Sequence, residues 1–292
     1  MTTQRYARHG SFFGEEGQRR IRNTKFTIVG LGGTGSHVAV QAAYLGGVNF
    51  RLVDKDFIDE TSLNRTVTAQ PGDEELPNLK VHVAKRTILA IQPGAAVTTI
   101  DRSVISPEGF AAVKDADVVF GCVDRDSVRL ILNEVCQAYE ILYVDLATDI
   151  SSDNPMDFGG RIHLSIAGER CVFCDDLLDQ TAIRHDFESA EQREADERIY
   201  GVNRSELGRA GPSVVSLNGL VASSAVLECM IELTGLRPAV RWLEYRGAFG
   251  VLSARRDPPK PHCPFCKGSL VRGRGDRADL QKYLELNLNF RL

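Results

Sequence analysis

The sequence predicts an α/β fold in which helices cover both faces of a doubly wound, mostly parallel sheet. Three observations predict it. Short apolar runs alternate with stretches at helical spacing through the first half of the chain. A glycine-rich turn separates the first run from the first helix, and two Cys-x-x-Cys pairs bracket a second half of different character. Lys25–Gly30 (KFTIVG) reads as a buried strand, Thr34–Leu45 as the helix after the turn, and Asn49–Asp54 as the next strand. Leu79–Ile91 places Val81, Ala84, Ile88 and Ile91 on one helical face. Ala96–Asp101, Asp117–Gly121 and Ile141–Leu146 follow as strands, with Phe110–Lys114 and Asp126–Tyr139 as the helices between them. Such alternation implies parallel βαβ units in a doubly wound sheet.

Arg161–Ala167 reads as an edge strand, and the charge-dense stretch 184–200 as an exposed connection. Ser213–Leu233 is a long, mostly apolar helix, followed by late strands at Val240–Tyr245 and Gly250–Ala254 that are expected to be antiparallel. Asp257–Lys260 (DPPK) turns the chain into the second cysteine pair. The expected organisation is an N-terminal arm (1–24), one unit over 25–266 with a crossover at about 175–212, and a tail (267–292) in which Leu280–Leu288 forms a short amphipathic helix.

The 292 residues are 43% hydrophobic and 25% charged, the balance of a globular chain. A formal net charge of −4 makes a nucleic-acid or anionic-membrane partner a poor expectation. The first residues hold no apolar core of a targeting segment. The most apolar stretch, Val214–Leu236, carries Asn218, Glu228 and Glu232, so no membrane span is expected, and the expected compartment is the cytoplasm. Seven cysteines, an odd number, do not form a secreted disulfide framework.

Gly30-Leu31-Gly32-Gly33-Thr34-Gly35 is a G-x-G-x-x-G between a strand and a helix. Glycines let the backbone approach a phosphate, and the helix N-terminus supplies N–H groups and partial positive charge. Asp54 ends the following strand, where an acidic side chain accepts from ribose hydroxyls. The surroundings carry more cations than a dinucleotide needs: Lys55, Arg65, Lys80 and Lys85. Asp124 follows the fourth strand at the ligand edge of the sheet, where a carboxylate holds Mg²⁺ with phosphate oxygens. Cations and Mg²⁺ converging on one nucleotide suit chemistry on ATP.

Taken in order, RYARH (Arg5–His9), GEEGQ (Gly14–Gln18), IVGLGGTGS, LVDKDFI, LNR (Leu63–Arg65), the Lys80 helix, GCVDRDSVR and both cysteine pairs resemble the ThiF/MoeB-type adenylyltransferases. These are relatives of the ubiquitin-activating enzymes, with a Rossmann-like fold. The resemblance runs from Arg5 to about Cys266. It implies adenylation of the C-terminal glycine carboxylate of a ubiquitin-like or sulfur-carrier protein. By position, Gly30, Gly32 and Gly35 would approach the phosphates, Asp54 would hold the ribose, and Asp56 and Ser62 would join the nucleotide site. Arg65 and Lys80 would bind the triphosphate, and Asp124 would coordinate Mg²⁺. Arg8 would reach the ATP of a second subunit, which implies a homodimer. Two positions depart from the family: Ser62 and Arg125 stand where it commonly has asparagine.

Cys171/Cys174 and Cys263/Cys266 can present four thiolates to one Zn²⁺, and the family carries zinc there. A closed four-sulfur site is structural; a redox role for one pair is the rival reading. The stretch Tyr200–Pro212, where thioester-forming relatives carry their nucleophile, has no cysteine. Cys122, Cys136 and Cys229 lie in apolar segments and read as core, so no enzyme thioester is expected. A conjugating enzyme or a sulfurtransferase is the expected downstream partner. Other readings keep the fold. A modified tRNA base would want a basic surface, and a ribosomal peptide a further peptide-binding domain. A non-catalytic partner subunit and an NAD oxidoreductase both fit poorly with Arg65, Lys80 and Asp124 together.

Overall fold

The computed structural model describes residues 4–187, 211–268 and 271–275. Its frame is one eight-stranded sheet in the order β3-β2-β1-β4-β5-β6-β7-β8. β1 (Lys25–Val29), β2 (Asn49–Val53), β3 (Ala96–Ile100), β4 (Val118–Gly121) and β5 (Leu142–Ile150) are parallel. β6 (Phe158–Ser165), β7 (Trp242–Arg246) and β8 (Val251–Ala254) continue the sheet antiparallel. The expected mixed fold is therefore present.

Helices α1 (Ala7–Asn23), α2 (Gly33–Tyr44), α3 (Lys80–Ile91) and α7 (Val215–Thr234) cover one face. α4 (Pro107–Lys114), α5 (Asp126–Ala138) and α6 (Gln180–Phe187) cover the other. Phe26, Ile28, Phe50, Leu52 and Phe120 point into the first layer, and Val29, Val119 and Tyr143 into the second, as alternation along a strand requires. The inner strands are buried on both faces, which is why they read as unbroken apolar runs. α7 has the length and mean hydropathy of a membrane span, but Val221, Ala222, Ala225, Cys229 and Met230 are buried against the sheet and its neighbours.

Three expectations change. Arg161–Ala167 is not an edge strand: β6 runs Phe158–Ser165 and lies between β5 and β7. β7 reaches it only after the chain has passed through α7, a pairing that local periodicity does not reveal. The arm 1–24 is largely helix α1, bent at Gly14 (φ 74°) and docked on the core through Phe13 and Ile21. Gln18 donates to the Leu45 carbonyl at 2.7 Å, and Arg5, in the short turn before α1, to the Ile91 carbonyl at 2.6 Å, tying this segment to the ends of α2 and α3. Within the stretch read as an exposed connection, 184–187 close α6; the rest of 184–200, Tyr200–Ala210 of the crossover and the helix expected at Leu280–Leu288 lie outside the described residues.

Candidate active site

The strand order reverses between β1 and β4, and their carboxyl ends open a crevice there. The glycine loop fills its floor. Gly30 has φ 85°, and its N–H donates to the Val53 carbonyl at 2.9 Å, locking the end of β1 to β2. A β-carbon on Gly30 would lie 2.4 Å from the Cys122 carbonyl oxygen, and one on Gly35 only 1.9 Å from that of Gly30. Both glycines are thus demanded by backbone packing. Gly32 differs: nothing lies within 4 Å of a β-carbon built there. It is also the N-cap of α2 and offers no side-chain cap, so that position leaves the first-turn N–H groups without a side-chain acceptor.

Asp54 grips this loop rather than only facing a ligand. Leu31 N–H donates to its Oδ2 at 2.6 Å and Asp56 N–H to its Oδ1 at 2.9 Å. Burial pushes its carboxyl above the usual carboxylate range, against the pull of the Lys80 charge and both N–H groups. Lys80 opens α3; its Nζ sits 2.8 Å from Asp56 Oδ2 and its N–H donates to the Asp56 carbonyl at 2.9 Å. Asp54, Asp56 and Lys80 therefore come together beside the loop. Arg65 is half-buried and donates to the Thr61 carbonyl. Its segment is tied to the loop by Ser36, whose hydroxyl accepts from Val67 N–H at 3.1 Å and donates to the Gly33 carbonyl at 3.0 Å.

Ser62 is placed otherwise than expected. It is 2% exposed, and its hydroxyl donates to Asp59 Oδ1 at 2.6 Å while its N–H donates to the same oxygen at 2.7 Å. These bonds cap a short helical turn, and the bond from Ser62 is the main reason that the Asp59 carboxyl stays below its usual range. Ser62 shapes the wall and offers no spare hydroxyl donor. Arg8 stands exposed on α1.

On the far side of the crevice, Asp124 is exposed in the turn between β4 and α5. Behind it lies a charge network that the sequence reading did not single out. Asp145 of β5 is fully buried between Arg129 Nη1 at 3.2 Å, Arg161 Nε at 3.5 Å and the Tyr143 hydroxyl at 2.8 Å. Burial works to raise the Asp145 carboxyl; the two guanidinium charges and the Tyr143 bond outweigh it and hold the group below the usual range. Arg129 also donates to the Val123 carbonyl, beside Asp124, and to that of Leu146 at 3.3 Å. The available signal was an acid at position 145 inside the apolar run ILYVDLA, which a hydropathy reading passes over.

Away from the crevice, Cys171, Cys174, Cys263 and Cys266 are all buried with their sulfurs within 4.8 Å of one another. Cys171 and Cys263 sulfurs are 3.7 Å apart, and those of Cys174 and Cys266 3.8 Å. An ion about 2.3 Å from four tetrahedral sulfurs sets their separations at about 3.8 Å, so the cluster fits such an ion. Of the remaining cysteines, burial pushes the Cys122 thiol up to about 12 and those of Cys136 and Cys229 higher still.

A sequence model of the ThiF family matches residues 6–265, nearly the whole described chain. The chain belongs to the ThiF family. Its ThiF-family relatives include the molybdopterin-synthase adenylyltransferase of Escherichia coli K12, 30% identical over 44% of this chain and 51% of that protein. The sulfur carrier protein ThiS adenylyltransferase of the same organism is 26% identical over 50% of this chain and 55% of its own. The matches span between 27% and 55% of the lengths of such curated relatives. Among solved structures, E. coli MccB with MccA superposes with a TM-score of 0.70 at 20% identity, over 91% of this chain and 75% of that one. That likeness concerns the fold.

In this ThiF-family chain the glycine loop leaves no room for a β-carbon at Gly30 or Gly35. Gly35→Ala drives a β-carbon into backbone and lowers the unfolding free energy by about 1–3 kcal/mol or more. Gly32→Ala meets no neighbour within 4 Å and costs much less. Urea unfolding of the two variants compares them directly; equal losses would show that the loop is not closed by the Gly30–Gly35 contact.

Proposed function

We propose that the chain is an ATP-dependent adenylyltransferase that activates the C-terminal glycine carboxylate of a small ubiquitin-like or sulfur-carrier protein. The observation that carries this reading is the meeting, at one sheet edge, of an uncapped glycine loop, Asp54 with Lys80, and Asp124. The names of the curated relatives support the same chemistry.

The N–H groups at the start of α2 bind phosphate oxygens, and Asp54 accepts from the ribose. Lys80 and Arg65 neutralise the triphosphate; Lys80 exchanges its partner Asp56 for phosphate when ATP enters. Asp124, exposed in the turn after β4, would hold Mg²⁺, which would offset charge on the phosphates. A carboxylate oxygen of the carrier attacks the α-phosphorus, the bond to the pyrophosphate oxygen breaks, and an acyl-adenylate and pyrophosphate result. The protein contributes alignment and charge. Arg8, exposed on α1, serves the site of a second copy, making the working unit a homodimer. Burial pushes up the thiols of Cys136 and Cys229, which are fully buried, and of Cys122, which is partly buried, and this supports a route without an enzyme thioester. Acceptance of the adenylate then falls to a conjugating enzyme or a sulfurtransferase.

The test is ATP–pyrophosphate exchange with a small protein ending in Gly-Gly. Exchange requires Mg²⁺ and the acyl substrate, and Asp124→Ala reduces it at least about a hundredfold. Unchanged exchange in that variant, or exchange supported only by a tRNA or a short peptide, overturns the reading. In the same assay, mixing inactive Arg8→Ala and Lys80→Ala subunits restores activity if Arg8 acts across the dimer; exchange of subunits without recovery assigns each site to one chain.

The four-cysteine cluster is proposed to hold one structural Zn²⁺. Its sulfurs are all engaged, so it leaves no position for a reacting water. Elemental analysis should find about one zinc per chain, lost in Cys171→Ser together with a fall in melting temperature. Because thiolates bind the metal and thiols do not, zinc should leave on acidification. A disulfide within either pair, or zinc-free protein of full stability, contradicts the assignment.

A further inference from the structure

Asp145 is a buried anion with no exposed face and no place in the chemistry above. Its Oδ2 is shared by two guanidinium groups, Arg129 at 3.2 Å and Arg161 at 3.5 Å, and its Oδ1 accepts from Tyr143 at 2.8 Å. The network extends outward: Asp126 Oδ1 lies 3.5 Å from Arg129 and 3.9 Å from Arg161. Arg129 is also the clasp of the turn that follows β4. It donates to the carbonyl of Val123, the residue before Asp124, and to Leu146 on the neighbouring strand. Its charge is within reach of the Asp124 carboxylate.

We propose that Asp145 is a positioning residue for the metal-binding turn: it holds Arg129 against the Val123 carbonyl and thereby fixes Asp124 at the mouth of the crevice. The inference rests on the assignment of Mg²⁺ to Asp124. Two cations 3.2 and 3.5 Å from one carboxylate oxygen are held chiefly by its charge, since the second anion near both, Asp126 Oδ1, is further off at 3.5 and 3.9 Å. Neutralise it, and Arg129 and Arg161 repel in a poorly solvated site. Arg129 is 5% exposed and is the group with a second set of bonds to lose, those to Val123 and Leu146. Asp124 itself is exposed and has only a short turn to hold it, so its placement depends on the carbonyl next to it. The sheet register makes this possible. Asp145 pairs with Gly121, the last residue of β4, so the buried carboxylate lies level with the point where the turn begins.

The experiment follows binding of the fluorescent nucleotide TNP-ATP while Mg²⁺ is titrated, on the full chain. In Asp145→Asn the Mg²⁺ concentration for half of the metal-dependent signal rises at least about tenfold, while nucleotide binding without Mg²⁺ is unchanged. Arg129→Lys keeps the positive charge but loses the fork that reaches Val123, and it shows the same shift. Circular dichroism and melting curves are taken alongside, since a purely structural role lowers the melting temperature and leaves the Mg²⁺ dependence where it was. Asp124→Ala is the control for the underlying assignment. If it loses the metal-dependent signal while Asp145→Asn and Arg129→Lys titrate like the parent protein, positioning is overturned and the metal assignment stands. If Asp124→Ala titrates normally, the metal assignment itself fails. If neither Asp145→Asn nor Arg129→Lys folds, the network serves the fold alone and the proposal is wrong.

Discussion

The crossing of Gly30 and Gly35 is the constraint on which the rest of the site depends. The chain leaves β1, turns back on itself with no room for a β-carbon at either residue, and enters α2 at once. This closeness aims the start of α2 along the crevice between β1 and β4. It also brings Leu31 within reach of Asp54, so that the strand-end acid becomes a brace for the loop as well as a ligand. Asn218 closes the loop from the other side, packed against Gly33 and bonded to Thr148 at 3.0 Å and Ser213 at 3.0 Å. Two helices and the end of β5 thus converge on six residues of backbone.

Electrostatically the crevice has two unlike walls. On the β2 side the Lys80 side chain is 14% exposed while its ion-pair partner Asp56 is 56% exposed, so the partner faces solvent and can be exchanged. On the β4–β5 side the cations Arg129 and Arg161 are committed to Asp145 and Asp126 in a poorly solvated setting. Arg125 pairs with Asp186 of α6 at 3.8 Å. The first wall exchanges ions when a ligand arrives, and the second keeps its geometry. Removing one member of such a buried group strands its partners, at about 3–5 kcal/mol, which makes the second wall stiff.

Much of the frame was legible from the residues. The strands of the first half are short, apolar and punctuated by glycine or charge, so β1 to β4 could be set down nearly to their ends, whereas β5, read as Ile141–Leu146, runs on to Ile150 through the polar Thr148 and Asp149. The cysteine pairs were legible because their spacing has few other uses. Three kinds of feature were not. α1 contains Gly10, Gly14 and Gly17 among many charges, and what fixes it is packing: Phe13 and Ile21 enter the core, and Gly17 lets Thr234 of α7 come close. The place of β6 depends on β7, which returns from far along the chain. Charges such as Asp145 inside a strand and Arg129 inside a helix face escape a hydropathy reading, because it expects charge outside. Ser62, a polar residue expected to join the nucleotide site, is engaged in capping a turn, which its residue type alone does not reveal.

What joins these parts is that the chemistry assigned to the crevice breaks one particular bond of ATP. The most direct test is to identify the leaving group. The protein is incubated with Mg²⁺, ATP labelled at the α-phosphate, and a small protein ending in Gly-Gly, then quenched in acid and separated. Pyrophosphate release matched by labelled AMP on the carrier's carboxyl end is the predicted result. Release of ADP or orthophosphate, with no label on the carrier, would contradict the account.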